Sequence, residues 1–290
     1  VNVATLFVAG LANGSIYALM ALGLVLIYKT QDVVNFAHGE FFMAGAFIGF
    51  SAYQYLHLSY AVSFAMAVLL GGVIGAVVER VAFRRVADQH HITLAMVTVG
   101  LSVFIKGLAR IPFGADIHTY PPAFSVDRLD IGSVVIAPQH LLTIGVAGLL
   151  TLSLYLFFRF TALGKKMRAT QQNIVGAQLV GINTGRVFAS TWALAAAIGA
   201  GAGVLAAPLS LLYPDMGTNF LLKGFAAAVL GGFESIPGAI VGGFAVGVVE
   251  MLFGGFVSTA FQEVSAFFII IVVLFIKPDG LFGRRAVSRV

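Results

Sequence analysis

Apolar residues run through this chain in long blocks, at 3–28, 33–54, 60–79, 92–110, 139–158, 187–207, 221–234, 237–255 and 259–276. Short polar stretches separate them, and no block alternates polar with apolar residues over its length. Roughly 20 apolar residues cross a bilayer as a helix, and a helix satisfies its own backbone polar groups where no water can. A membrane β-barrel would need alternation, so the pattern weighs against one. The pattern predicts an all-α, polytopic transmembrane bundle of about eight to nine segments, some of them short or broken. The block at 33–54 is polar in its first half, and the block at 221–234 is short and holds Lys223. If 221–234 and 237–255 form a re-entrant pair instead of two crossings, the two ends of the chain keep their sides.

The polar stretches set an expected orientation. The longest, 159–186, carries Arg159, Lys165, Lys166, Arg168 and Arg186 and no acid. With that loop in the cytoplasm, alternation puts Lys29, Arg80, Arg84, Arg85, Lys277, Arg284, Arg285 and Arg289 on the same side. Lys106, Arg110, Arg128 and Lys223 fall elsewhere. Lysine and arginine stay on the cytoplasmic side during insertion, so the N-terminus is expected outside and the C-terminus inside. Residues 1–290 read as one transmembrane domain, with a cytoplasmic loop at 159–186 and an extracytoplasmic loop at 111–138. The outer loop holds four prolines and "RLDIGSVVI", which suggests a small ordered cap with a short hairpin. The block at 3–28 lacks a basic leader and reads as a retained span, not a signal peptide.

Composition sharpens this picture. Only 10% of residues are charged, 59% are hydrophobic, and mean hydropathy is +0.98. The net charge of +5 follows from the insertion rule and is no nucleic-acid signal. No cysteine is present, which excludes disulfides, thiolate metal sites and cysteine nucleophiles. The 34 glycines favour closely packed helices and broken segments. Phosphate-loop, zinc-protease and nucleophile-elbow motifs are all missing. Adjacent His90 and His91, near Asp88, are of a type more often solvated than metal-binding. The chain is therefore expected not to be an enzyme.

The stretch at 159–186 has two readings. After Gly164 come good helix formers, and Val175, Leu179 and Ile182 share a helical face, with Gly181 placed to end the helix. Such a helix could lie on anionic lipid, its lysines and arginines only fixing topology. It could equally dock in a partner's groove, its small residues Ala169 and Ala177 allowing close approach.

Here "GKKMRATQQNIVGAQLVGIN" resembles the cytoplasmic coupling loop of permeases of branched-chain amino acid ABC importers, the LivH type. The resemblance continues through "LANGSIYALMALGLVLIY" (11–28), "VNFAHGEFFMAGAF" (34–47), "ERVAFRRV" (79–86), "AAAVLGGFESIPGAIVGG" (226–243) and "KPDGLFGR" (277–284). Glu234 stands where the family is expected to have a small residue. The resemblance implies a permease subunit of an ATP-driven importer of branched-chain or related hydrophobic amino acids, in a bacterial cytoplasmic (inner) membrane. Related permeases carry urea, short amides or aromatic acids. The implied partners are a second, paralogous permease, two cytoplasmic ATPase subunits and an extracytoplasmic substrate-binding protein. ATP and Mg would be bound by the ATPases, with no cofactor in this chain. Carried over by position, the coupling residues are Gly164, Lys165, Lys166, Arg168, Ala169, Asn173, Ala177, Gly181 and Ile182. A stand-alone channel or secondary carrier is the competing class, and the long basic loop weighs against it.

Ionisable residues at membrane depth are costly and mark candidate pathways. Asn35, His38 and Glu40 open the second block and are candidates for a polar vestibule or gate, or for a hydrated helix start. Glu234 and Pro237 mark a second break, which serves either as a contact for cargo or as a plain turn. The segments 33–50 and 231–250 share a form, a polar break with an acid followed by a glycine-punctuated run. Lys106, Lys223 and Glu250 read as snorkelling residues near span ends, and Trp192 as an interfacial anchor.

Overall fold

The computed structural model describes residues 3–87, 89–124, 128–131 and 134–283. Asp88 and the expected cytoplasmic Arg284, Arg285 and Arg289 lie outside the described residues. The elements are α1 (Val3–Gln31), α2 (His38–Gln54), α3 (Tyr60–Val78), α4 (His91–Phe113), β1 (Leu129–Ile131) and β2 (Val134–Ile136). They continue as α5 (Pro138–Phe160), α6 (Ala162–Gln172), α7 (Ile174–Leu179), α8 (Thr184–Ala206), α9 (Met216–Gly231), α10 (Ile236–Phe256) and α11 (Thr259–Ile276). Among the described residues, six helices are long and apolar enough to cross a membrane, and α2, α9 and α11 are shorter. The chain is a polytopic helical membrane protein.

The most buried of the long helices is α1, at the centre of the bundle. Gly10 and Gly14 on α1 face Gly243 and Gly247 on α10, four residues apart on each helix. A methyl on Gly10 would sit 2.8 Å from the Val248 Cα, so only small residues allow this approach. Many of the other glycines in the bundle interior make contacts of this kind, while Gly100, Gly107, Gly145 and Gly148 face open space.

One end of the bundle is basic. The ends of α1, α3 and α5, the starts of α8 and α10, and all of α6 and α7 gather there. Trp192 of α8 donates to Gln31 at 2.6 Å and packs on Phe83 and Phe41 with no exposed surface. It is a core residue and not the interfacial anchor its lone occurrence suggested. The opposite end carries the antiparallel β1–β2 ribbon, with Leu129 opposite Ile136, as the loop sequence suggested. Nearby, Tyr120 is buried against Phe50, Tyr53 and Tyr60. Burial, followed by the neighbouring Tyr60 and Tyr53, pushes its phenol well above the usual pKa.

After Val78, α3 widens into one π turn, Glu79–Phe83. The buried Glu79 carboxylate accepts two bonds from Arg84, at 3.1 and 2.6 Å, and Arg84 also donates to the Gly185 carbonyl at 2.7 Å. This clasp joins the end of α3 to the start of α8. Arg84→Met would strand a buried carboxylate, at a cost of about 2–3 kcal/mol, moderated because the guanidinium is partly exposed. A fall of several degrees in the melting temperature of the detergent-purified protein is the expected readout.

Two boundaries differ from those read in the sequence. The block at 33–54 becomes helical only at His38, and 32–37 is non-helical, with Asp32 at a φ of 52°. The block at 221–234 begins earlier, at Met216, and ends at Gly231, where Gly232 (φ 95°) turns the chain.

Candidate functional site

Both irregular helices begin inside the bundle. His38, the first residue of α2, packs its ring against Gly23 of α1. That level is about 12 Å short of the end of α1 at Gln31, at 1.5 Å per residue. Residues 32–37 therefore climb back into the bundle as irregular backbone. α9 starts from the other direction. Its Phe220 packs on Tyr17 at the midpoint of α1, with ring centroids 6.1 Å apart, and stacks on Phe42 at 4.6 Å. The two starts touch. A methyl on Gly39 would collide with the Gly217 carbonyl, and a methyl on Gly217 with the Gly39 carbonyl. Non-helical backbone at such depth is tolerated only where protein or a water-filled cavity surrounds it.

This junction holds the polar residues that the sequence singled out. Asn35, His38 and Glu40 are all essentially without exposed surface. Asn35 Oδ1 accepts from the Ala37 N–H at 3.0 Å, but its Nδ2 has no partner. Neither ring nitrogen of His38 has one, and the ring is sealed between Gly23, Gly199 and Phe41. Glu40 Oε1 accepts from Ser102 at 2.9 Å and lies 3.5 Å from Lys106 Nζ, while Oε2 is unpartnered. Lys106 also donates to Thr218 at 2.7 Å and lies 3.7 Å from Asp215, which Arg110 holds at 2.7 Å. Lys106 and Arg110 of α4 thus bridge the first turn of α2 to the start of α9.

A second ion pair lies further along α9. Lys223 donates to Glu250 of α10 at 2.6 Å and stands 5.5 Å above the Tyr17 ring. Glu250 is buried and its Oε2 has no partner. Lys106, Lys223 and Glu250 are therefore paired inside the bundle and do not snorkel. The partners lie on different helices, so no local spacing announces them. Ser102 and Lys106, four apart, were the one signal available.

Glu234 and Pro237 are elsewhere. They lie in the turn between α9 and α10 at the basic end, where Pro237 is in the first turn of α10 and Ser235 caps it. The structure does not bring them to Asn35, His38 and Glu40. It brings them to Arg168. With Tyr28, Lys29, Asp32, Gln171 and Gln172 they line a cavity of about 780 Å³. The Glu234 carbonyl accepts from Lys29 at 2.8 Å. Segment 277–283 folds over the same turn, Leu281 and Phe282 donating to the Leu230 and Gly231 carbonyls. The matched break therefore pairs 32–37 with the approach to α9, not with residues 232–235.

The polar loop forms two helices and not one. Thr161 caps α6, and Asn173 ends α6 and caps α7 through its side chain, 2.8 Å from the Gly176 N–H. Gly164 lies against Phe157 and Phe158, leaving no room for a side chain, and fixes the fold-back of α6 on α5. Lys165, Lys166 and Arg168 are exposed, Ala169 is half-buried, and Gly181 (φ 79°) ends α7. Ala177 is buried, contrary to its expected place on an exposed face. Ile182 packs partly on the core, while Val175, Leu179 and Val180 form the exposed apolar patch, Leu179 at 83%. At the other polar loop, His90 Nδ1 accepts from the Ile92 N–H at 3.3 Å and so caps α4.

Residues 6–276 match the family model described as the permease component of the branched-chain amino acid transport system. The high-affinity branched-chain amino acid transport system permease protein LivH of Salmonella typhimurium is 34% identical over 97% of this chain and 96% of its own length. LivH of Escherichia coli K12 is 33% identical over the same shares. BraD of Pseudomonas aeruginosa, with the same description, is 32% identical over 98% and 96%.

Proposed function

The chain belongs to the branched-chain amino acid transport permease family, and from that premise we propose that it imports branched-chain or related hydrophobic amino acids as one permease of an ABC transporter. The observation that carries this reading is the exposed patch of Val175 and Leu179 on α7 and Val180 just after it, flanked by the basic face of α6. Apolar side chains this exposed, at the polar end of a membrane protein, suit a protein groove. The occupant is a cytoplasmic ATPase subunit, which binds the ATP and Mg that this chain has no motif to hold. The basic end faces the cytoplasm, as the insertion rule favours, in the inner membrane of a bacterium. A second permease completes the pathway, and a soluble binding protein delivers cargo at the ribbon end.

Force enters through α6 and α7. Gly164 and Asn173 hold the two helices at a fixed angle to α5. Arg168 shares a cavity wall with the α9–α10 turn at Glu234 and Pro237, so movement of α6 reaches the end of α9. The start of α9 abuts α2 at Gly217 and Gly39. Asn35, His38 and Glu40 sit there as the gate, and their unpartnered atoms find water or cargo when it opens. Lys165 and Lys166 steer the acidic rim of a docking partner, and Ala177, Gly181 and Ile182 shape α7 from within.

Gentle purification of the tagged chain from its native membrane, with mass spectrometry of co-purifying proteins, tests the assembly. ATPase subunits and a second permease are expected. Recovery of the chain alone, under conditions that keep other transporters whole, would overturn the proposal.

A further inference from the structure

The outward surface of this protein is apolar on most of its helices. On α3 it is Val62, Leu69, Leu70, Val73 and Val77, and on α11 it is Phe261, Val264, Phe268, Ile271 and Phe275. Lipid contact demands this. α9 differs. Asp215, at its N-terminal cap, and Asn219 are exposed on one face, with the half-buried Thr218 and Lys223 at its two edges, at intervals of three, one and four residues. Leu222 is on the same face. The stripe starts near the mid-level of α1, where Phe220 meets Tyr17. A polar face at that depth cannot abut hydrocarbon. It faces water or protein.

Its charges come in two sets. Lys106 is held by Thr218, Glu40 and Asp215, and Lys223 by Glu250. In each set one buried carboxylate oxygen, Glu40 Oε2 and Glu250 Oε2, makes no hydrogen bond of good geometry, though the Tyr17 hydroxyl lies beside Glu250. A structural ion pair would be better satisfied, because a half-met buried carboxylate is destabilising. We propose that the outward face of α9 lines the translocation pathway and handles cargo as a zwitterion, Lys106 and Lys223 receiving its α-carboxylate and Glu40 and Glu250 its α-ammonium. A neutral amide can accept a hydrogen bond from a lysine ammonium but carries no charge to match either member of such a pair, so paired opposite charges suit a zwitterion better. The inference rests on the permease reading above and adds the wall that carries the cargo and the groups on it that meet the two charges of an amino acid.

The chain has no cysteine, so single cysteines report without interference. Asn219→Cys and Leu222→Cys on α9 are compared with Leu70→Cys on α3, in membrane vesicles holding the assembled protein. The probe is a membrane-impermeant, charged methanethiosulfonate, and the rate of modification is read by mass. The α9 positions are expected to react at least about tenfold faster than Leu70→Cys, as wet sites do against lipid-covered ones. Millimolar leucine should slow them, and acetamide should not. Reaction as slow as at Leu70→Cys overturns the pathway assignment, and equal protection by acetamide and leucine overturns the zwitterion assignment. Labelling does not require ATP, so failure of the ATPase reading leaves this result distinct. The double variant Lys223→Met with Glu250→Met removes both charges while keeping volume, and tests the pair's role. Leucine uptake should fall about tenfold or more with the complex still assembling. Full uptake by that variant would make the pair structural and overturn the proposal.

Discussion

Leu179→Arg is expected to reduce ATP-driven uptake by about 100-fold, the consequence of roughly 3 kcal/mol of lost docking energy. Leu179 is 83% exposed at the end of α7, with Val180 at 76% and Val175 at 65%. Among the described residues nothing covers that patch, so a charge there costs the fold itself little, and surface changes of this kind stay within about 0.5 kcal/mol. In a docked complex the same charge would be desolvated without a partner, which costs several kcal/mol. The variant should therefore accumulate in the membrane at normal level and melt at the normal temperature, yet fail to retain ATPase subunits. Quantitative pull-down measures the loss directly. Ala177→Arg, the substitution that the sequence alone suggests, is a poorer probe. Ala177 is buried, and an arginine there would disturb the packing of α7, so loss of coupling could not be told from local misfolding.

Gly39→Val should prevent the protein from accumulating in folded form. The starts of α2 and α9 meet through Gly39 and Gly217, each in reach of the other's carbonyl. Those obstacles are backbone atoms, which cannot swing aside as a side chain can. Overpacking a tight core costs about 1–3 kcal/mol even where side chains yield, and here the two helices must separate. Separation would also pull Glu40 from Lys106 and leave 32–37 without its packing. Gly100→Val is the control, since no atom lies within 4 Å of a side chain there. Size-exclusion profiles of the two variants in detergent should differ sharply, with Gly39→Val aggregated and Gly100→Val monodisperse.

The long spans were legible because burial in hydrocarbon writes itself into composition, block by block. Where helices start inside the bundle, that signal fails. His38 and Met216 open helices within the hydrophobic depth, and nothing in the composition of the approaches to them, 32–37 and 210–215, tells that they run inside the bundle. Only contacts between distant residues, His38 with Gly23 and Phe220 with Tyr17, reveal their level. Asn35, His38 and Glu40 could be picked out because polar groups are rare in such a chain. Their partners could not, since Glu40 pairs with Lys106 across sixty-six positions and Lys223 with Glu250 across twenty-seven. Glu234 and Pro237 show the opposite case. Their break is conspicuous in sequence, yet it forms a turn at the basic end beside Arg168. Asn173 divides the polar loop because its side chain caps the following turn, and this rotated Ala177 inward and left Leu179 outside.

The central claim is that this permease takes its energy from ATP through α6 and α7. Uptake of labelled leucine into proteoliposomes tests it most directly, with this chain reconstituted beside the proposed second permease, ATPases and binding protein. Accumulation should require ATP and all the partners, and should fall to background with Leu179→Arg. Accumulation by this chain alone, driven by a proton or sodium gradient and abolished by Glu40→Gln, would contradict it and make the protein a secondary carrier.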